Sequence, residues 1–439
     1  MIALDTGFPD NLRPVAMSEP LSSETTPPSR ALSQRKLWIF RAVAAVVGLL
    51  FAGGCLEIFA RIHAASQSDN IEALQRFDRA KKSGVPLTLI YFVKMSADPK
   101  LVYELIPGVE GIFRKKPVKI NSSGFFDVER KIEKPPDTFR IAGIGDSIIF
   151  GWGAAKEYRF TDVLERFLND TTSGTVKFEV LNFGVPGYNT VQEERQLRTR
   201  VAEYSPDAVL LSFCFINDAT VPNFLVHSQS GLELGRSYLL DFLLKRQSKT
   251  IQDPGLQGAD PGNVPQEFQF MIGWENCRKA LRGISDFCKE RKIPCVFFMD
   301  YWDAEKYRGA NGRPLTEDPA MKLYDFVRGL GYVIVNPLAE TVKYLNKWDY
   351  HSDALSVSHD DNDAHANPIR HAIDAKEIYR ELVQNKVLPD WKERQARLEE
   401  DLKKWDAIIE ETHRKTPVDP RWTHAGPGTG KAIFEGTYE

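Results

Sequence analysis

Cysteine is scarce in this chain. There are five in 439 residues (Cys55, Cys214, Cys277, Cys288 and Cys295), an odd number, scattered and without a CxxC pair. That excludes a disulfide framework and a paired-cysteine zinc site. An excess of one charge is also missing. Lys and Arg number 57 against 60 Asp and Glu, for a formal net charge of −3. A dedicated nucleic-acid binder carries a strongly basic stripe, so no nucleic-acid partner is expected. With 42% hydrophobic and 27% charged side chains, the chain is neither largely disordered nor collagen-like. No internal repeat is evident.

Long apolar runs are absent with one exception. Leu37–Ala60 reads LWIFRAVAAVVGLLFAGGCLEIFA, without a charge from Ala42 to Leu56. As a helix this segment spans roughly 36 Å, enough for a hydrocarbon core of about 30 Å. A buried core helix is the alternative, but Arg35, Lys36 and Trp38 flank the run as an interfacial anchor would. A cleaved signal peptide fits poorly, because the preceding stretch is too long for a basic n-region. The basic residues Arg35, Lys36 and Arg41 sit at the N-terminal edge, which places residues 1–36 in the cytoplasm and the bulk of the chain outside. In a bacterium this is a single pass of the inner membrane with a periplasmic domain.

Residues 1–36 contain a Pro/Ser/Thr-rich tail that reads as disordered. Residues 61–137 read as an extended juxtamembrane region with an amphipathic helix near 70–82. From 138 to 388, short apolar runs such as FRIAGI (139–144), FEVLN (178–182), DAVLLSF (207–213), CVFFM (295–299) and YVIVN (332–336) alternate with helical periods. Continuous apolar strands alternating with helices imply a doubly wound parallel sheet with helices on both faces, an α/β three-layer domain. A Gly/Pro-rich insertion occupies 252–266. Residues 389–415 read as a charged helix and 416–439 as a flexible tail.

Ligands of open parallel sheets bind beyond the carboxyl ends of the strands. There the sequence places Gly145-Asp146-Ser147, then Asn182-Phe183-Gly184, then Asn217-Asp218, and before the last helix Asp363-Ala364-His365-Ala366-Asn367. Together they supply a hydroxyl, backbone amides, a side-chain amide and an acid–imidazole pair, the parts that acyl transfer needs. Ser147 as a plain helix cap and Asn217-Asp218 as a plain turn are the simpler readings of each block alone. Four histidines (His351, His359, His365, His371) near Asp360, Asp361 and Asp363 leave a metal site conceivable, although serine chemistry already accounts for His365. No cofactor is expected.

The four blocks, in this order, resemble the SGNH/GDSL hydrolase family, in particular membrane-anchored bacterial members. The resemblance implies an SGNH-hydrolase-like, flavodoxin-like fold. It makes Ser147 the nucleophile, His365 its base and Asp363 the acid that orients the imidazole, with Gly184, Asn217 and Ser147 forming the oxyanion hole. Two positions depart from the family pattern. Phe215 holds a usual glycine, and Asn362 stands where the acid is commonly found, leaving Asp361 as the rival to Asp363. The implied activity is ester hydrolysis by a Ser-His-Asp mechanism, removing O-acyl groups from a carbohydrate. An O-acyltransferase using the same triad and a silent anchor for polysaccharide assembly are the rival readings. The implied partners are an acylated carbohydrate or other ester and, through residues 37–60, the lipid bilayer. The oligomeric state is left open.

Overall fold

The computed structural model describes residues 33–66, 69–172, 174–224, 235, 237–244, 264, 266–300, 304–310, 319–358 and 363–423. The chain divides into two compact units, Met1–Phe59 and Ala60–Glu439. Helix α1, Gln34–Ser66, supplies the described part of the first. Its stretch Gln34–His63 contains an 18-residue window of mean hydropathy 2.2 and is long and apolar enough to cross a membrane. The helix is longer than the apolar run because nothing between Ala60 and Ser66 is a helix breaker.

In the second unit, α2 (Asp69–Lys82) precedes two small antiparallel ladders. These are β1 (Val93–Met95) with β2 (Tyr103–Leu105), and β3 (Glu110–Phe113) with β4 (Lys116–Lys119). The region expected to be extended is therefore folded. Phe77, Phe92, Tyr103, Phe113 and Phe126 share one apolar cluster with Phe150, Tyr188 and Phe224. Burying these aromatic rings contributes on the order of 2 kcal/mol each, which an exposed linker would forgo. The two-residue turn between β3 and β4 is Arg114-Lys115, at φ 47° and 63°. Left-handed backbone costs a non-glycine residue roughly 1–2 kcal/mol.

The sheet follows, with its five strands all parallel. They are β5 (Thr138–Gly145), β6 (Lys177–Asn182), β7 (Ala208–Phe213), β8 (Cys295–Met299) and β9 (Val333–Val335), in the spatial order β6-β5-β7-β8-β9. Alternate side chains of each strand face opposite layers. Ile141, Val180, Leu210, Val296 and Phe298 pack with α4 (Phe160–Asp170) and α10 (Pro368–Gln384). Ala142, Ile144, Leu181, Leu211 and Phe297 pack with α5 (Thr190–Thr199), α7 (Trp274–Arg291) and α8 (Pro319–Gly329). The doubly wound, three-layer fold expected from the apolar runs is the fold observed.

Smaller elements complete the unit. They are the one-turn helix α3 (Ser147–Phe150), α6 (Tyr238–Leu243), α9 (Leu338–Trp348), and an antiparallel pair of β10 (Ser356–Ser358) with β11 (Asp363–Ala366). The expected helix over 389–415 is two, α11 (Trp391–Ala396) and α12 (Leu398–Lys415), broken at Arg397. Arg397 turns out of the helix to reach the Thr171 carbonyl. Of the expected insertion 252–266, only residues 264 and 266 are described; the expected tail is described to residue 423.

Candidate active site

Strand β5 ends at Gly145, whose φ of 150° and approach to Ser212 O leave no room for a Cβ. The next residue, Asp146, caps α3 by accepting the Ile148 N–H at 2.9 Å. This tight strand-to-helix turn presents Ser147 at the carboxyl edge of the sheet. Helix α3 runs for only four residues, so the dipole it directs at Ser147 amounts to a single turn of peptide units.

From the other side comes β11. Asp363 and His365 are two residues apart on this strand and so project from the same face. His365 Nε2 lies 2.7 Å from Ser147 Oγ, and His365 Nδ1 lies 2.6 Å from Asp363 Oδ1. Asn367 closes the motif structurally: its side chain accepts from Ile369 N and Arg370 N at the start of α10 and donates to Ala354 O at 2.9 Å. The structure thus brings Ser147, His365 and Asp363 into one chain of contacts. Asp361, its rival, lies outside the described residues, as do Asn362, His359 and Asp360.

Asp363 is buried. Burial alone would raise its carboxyl, but the hydrogen bond and charge of His365 and the Trp152 indole outweigh it and hold it at about 2. An ionised carboxylate against Nδ1 fixes the tautomer in which Nε2 accepts a proton. The Trp152 Nε1–H donates to Asp363 Oδ2 at 3.0 Å, and the indole stacks on the His365 ring, with centroids 5.0 Å apart and planes 20° from parallel. Arg114 Nη2 lies 3.3 Å from the same Oδ2.

The expected oxyanion donors are placed near Ser147 but already engaged. Gly184 N–H donates to Asn182 Oδ1 at 3.0 Å. Asn182 in turn donates to Ile149 O at 2.6 Å, clamping the end of β6 onto α3. Asn217 Nδ2 donates to Asp146 Oδ2 at 2.8 Å and to Tyr188 O at 2.7 Å. Below them lie further buried acids. Burial pushes up the carboxyls of Asp146, Asp218 and Glu193, the last two well above the ordinary range. Asp218 accepts from Thr190 Oγ1 at 2.7 Å and from Cys214 N, which explains the Asn-Asp pair as more than a turn. Phe215, in the usual glycine position, packs on Trp274 at 5.1 Å.

Among the described residues, the histidines do not gather around a common point. His351 accepts from Asp353 N at 3.2 Å at the start of a 3-10 turn, while His371 is buried in α10 beside Phe160. Of the aromatics that follow the strand ends, Tyr188 is core, donating its hydroxyl to Tyr103 O, and Trp274 packs on Phe213 and Phe215. Tyr301 and Trp302 lie outside the described residues. Trp152, half-buried, borders the site together with Arg114, and both line a cavity of about 1740 Å³. Trp152 follows the GDS turn by five residues and was legible as an aromatic near the site. No sequence signal pointed to Arg114.

Residues 144–318 match the model of the GDSL-like Lipase/Acylhydrolase family. No curated protein sequence matches the chain. Among solved structures, an alpha/beta hydrolase enzyme from the metagenome of Lake Arreo, Spain, is similar at 17% identity, covering 55% of this chain and 94% of that one, with a TM-score of 0.34. A two-domain esterase active on acetylated mannans shares 13% identity over 57% of this chain and 50% of its own, also at 0.34. An acetylxylan esterase from Geobacillus stearothermophilus shares 16% identity over 56% of this chain and 94% of its own, again at 0.34.

Proposed function

We propose that this chain, whose residues 144–318 match the GDSL-like lipase/acylhydrolase model, is a serine esterase that removes O-acyl groups from a carbohydrate through an acyl-Ser147 intermediate. The observation that carries the reading is the unbroken contact chain Ser147 Oγ–His365–Asp363, at 2.7 and 2.6 Å. As Oγ attacks the ester carbonyl carbon, its proton passes to His365 Nε2. Asp363 stays ionised and stabilises the imidazolium across Nδ1–H. The tetrahedral intermediate then breaks its bond to the sugar oxygen, which leaves with the proton from Nε2. Water repeats the sequence on the acyl-enzyme and regenerates Ser147.

The developing oxyanion is met by Ser147 N–H, Gly184 N–H and the Asn217 amide. Gly184 N–H is donated to Asn182 and the Asn217 amide to Asp146 and Tyr188, so each turns or shares one of these bonds as charge develops on the oxyanion. Trp152, beside His365 and on the wall of the neighbouring cavity, borders the place where the sugar would sit. Residues 138–388 form the hydrolase domain, followed by the charged helical segment 389–415 and the tail 416–439. The segment 37–60 anchors the protein in the bacterial inner membrane, with residues 1–36 cytoplasmic and the hydrolase domain periplasmic. This placement rests on the apolar length of α1 and on Arg35, Lys36 and Arg41 at its N-terminal edge.

The test is acetate release from an acetylated glycan by the full chain in detergent, with and without an unacetylated acceptor. Hydrolysis is supported if wild type releases acetate and Ser147→Ala does not. Transfer of label to the acceptor without free acetate would make the protein a transferase with the same triad. Inertness of both forms towards all esters would leave a silent anchor.

A further inference from the structure

We propose that Arg114, from the β3–β4 hairpin, is a positioning residue for the Asp363 carboxylate. The hairpin is then a working part of the active site and more than a connector between α1 and the sheet. This inference rests on the Ser147–His365–Asp363 reading given above.

The geometry is specific. Asp363 has two oxygens with different duties. Oδ1 faces His365 Nδ1 at 2.6 Å, whereas Oδ2 meets the Trp152 indole N–H at 3.0 Å and Arg114 Nη2 at 3.3 Å. A carboxylate held at Oδ2 from two directions cannot rotate about its Cβ–Cγ bond without breaking both contacts, so Oδ1 stays aimed at the imidazole. Arg114 also stands over the Trp152 ring, 5.4 Å from its centroid, and the same indole stacks on His365 at 5.0 Å. Guanidinium and imidazole therefore both pack on the indole, and all three groups are gathered at Asp363.

The hairpin is built to deliver this side chain. Phe113, one residue before Arg114, is buried edge-on against Trp152 at 4.8 Å and against Phe92 at 5.7 Å. Arg114 and Lys115 hold left-handed backbone at the turn without a glycine. A conformation that a turn could adopt more easily with Asn-Gly is kept here with a side chain that touches the triad acid.

Arg114 acts through Asp363, and its charge also bears on the imidazolium that forms during turnover. The charged and titratable groups around His365 include Asp363 on its own strand, Asp146 at the end of β5 and His371 in α10, with Arg114 on the far oxygen of Asp363. Removing the guanidinium favours the imidazolium, so the acid limb of kcat/KM moves to higher pH.

The experiment uses the full chain in detergent micelles with p-nitrophenyl acetate as substrate. Arg114→Met is expected to lower kcat by roughly tenfold, to change KM by less than about twofold, and to raise the acid limb as stated. Arg114→Lys restores most of the rate and the pH profile. In an Asp363→Asn background, Arg114→Met causes no further loss, because the group it positions is gone. Arg114→Gln, which loses the charge but stays polar, is read in the same way should the Met variant fail to melt cooperatively. Wild-type kcat and pH profile in Arg114→Met and Arg114→Gln would overturn the inference, as would an undiminished loss in the Asp363→Asn background. If Ser147→Ala is as active as wild type, the triad reading itself falls. If Ser147→Ala is inert while the Arg114 variants are unaffected, only the present inference falls.

Discussion

Replacing Gly184 by Ala separates the geometry of the site from its hydrogen-bond donors. The added methyl leaves the Gly184 N–H in place, so no donor is lost. Its Cβ would lie 2.5 Å from Phe150 N, 2.7 Å from Ile149 Cγ2 and 2.9 Å from Phe150 Cα. Ordinary heavy-atom contact is about 3.5 Å, so either the end of β6 or helix α3 has to move by about 1 Å. The obstacle is largely backbone, and no flexible side-chain end can swing away from it. Overpacking of this kind costs about 1–3 kcal/mol. Since Ser147 begins the helix that Phe150 ends, the shift carries the nucleophile out of line with His365. A misplacement near 1 Å costs on the order of 10²-fold in rate. The assay is the rate of covalent labelling by a fluorophosphonate, with thermal unfolding followed in parallel. A fall in labelling rate of roughly 10²-fold in a protein that still melts cooperatively is expected. Wild-type labelling by Gly184→Ala would refute the reasoning, because the α3–β6 contact would then not be what holds Ser147.

Three further outcomes follow from the same contacts. Asn217→Ala removes a donor from a developing oxyanion and leaves buried Asp146 Oδ2 without its amide; kcat should fall roughly 10²–10³-fold and stability by about 1–3 kcal/mol, as read by kinetics and urea unfolding. His371 is buried, and desolvation first, then the nearby positive charges of Arg159 and Arg370, press its imidazole down to about 3. Its contribution to stability is complete above pH ~6.5, where the unfolded chain is also neutral, and is lost as pH falls towards 3, at about 1.4 kcal/mol per unit. Unfolding free energies of His371→Leu and wild type should therefore converge or cross in favour of the variant by about 2 kcal/mol between pH 6.5 and 5; a pH-independent difference would contradict this. For topology, a reporter active only in the periplasm should work when fused after Glu439, and activity of a cytoplasm-only reporter there would reverse the orientation.

Much of the fold could be read from residue patterns. Fully buried parallel strands have to be apolar on both faces, so FRIAGI, FEVLN and CVFFM announce themselves, and the helices between them carry a clear 3.6 period. The approach of Asp363 to His365 was also legible, since two residues along a strand return a side chain to the same face. The N-terminal region was legible only in part: the helix near 70–82 is α2, but the ladders beyond it were hidden for a physical reason. Its strands are only three or four residues long, too short for an alternating pattern to stand out. The tight turn of the β3–β4 hairpin is Arg-Lys, where a turn of this backbone ordinarily declares itself by Asn-Gly. For that reason nothing local could bring Arg114 to Asp363; the contact exists only through the packing of Phe113 on Trp152. Helix α9 was missed because it follows β9 after only two residues, Asn336 and Pro337, leaving no visible loop between them. The prior engagement of Asn217 and Gly184 was likewise beyond reach, since their partners Asp146, Tyr188 and Asn182 are set by tertiary approach.

The central claim is that Ser147 is the atom that carries the acyl group. Intact-mass and peptide mapping of the full chain after reaction with a fluorophosphonate test it most directly. A single adduct on the peptide containing Ser147 is expected, formed far more slowly in His365→Ala and absent from Ser147→Ala. An adduct on any other residue, or equal labelling of wild type and Ser147→Ala, would contradict the account.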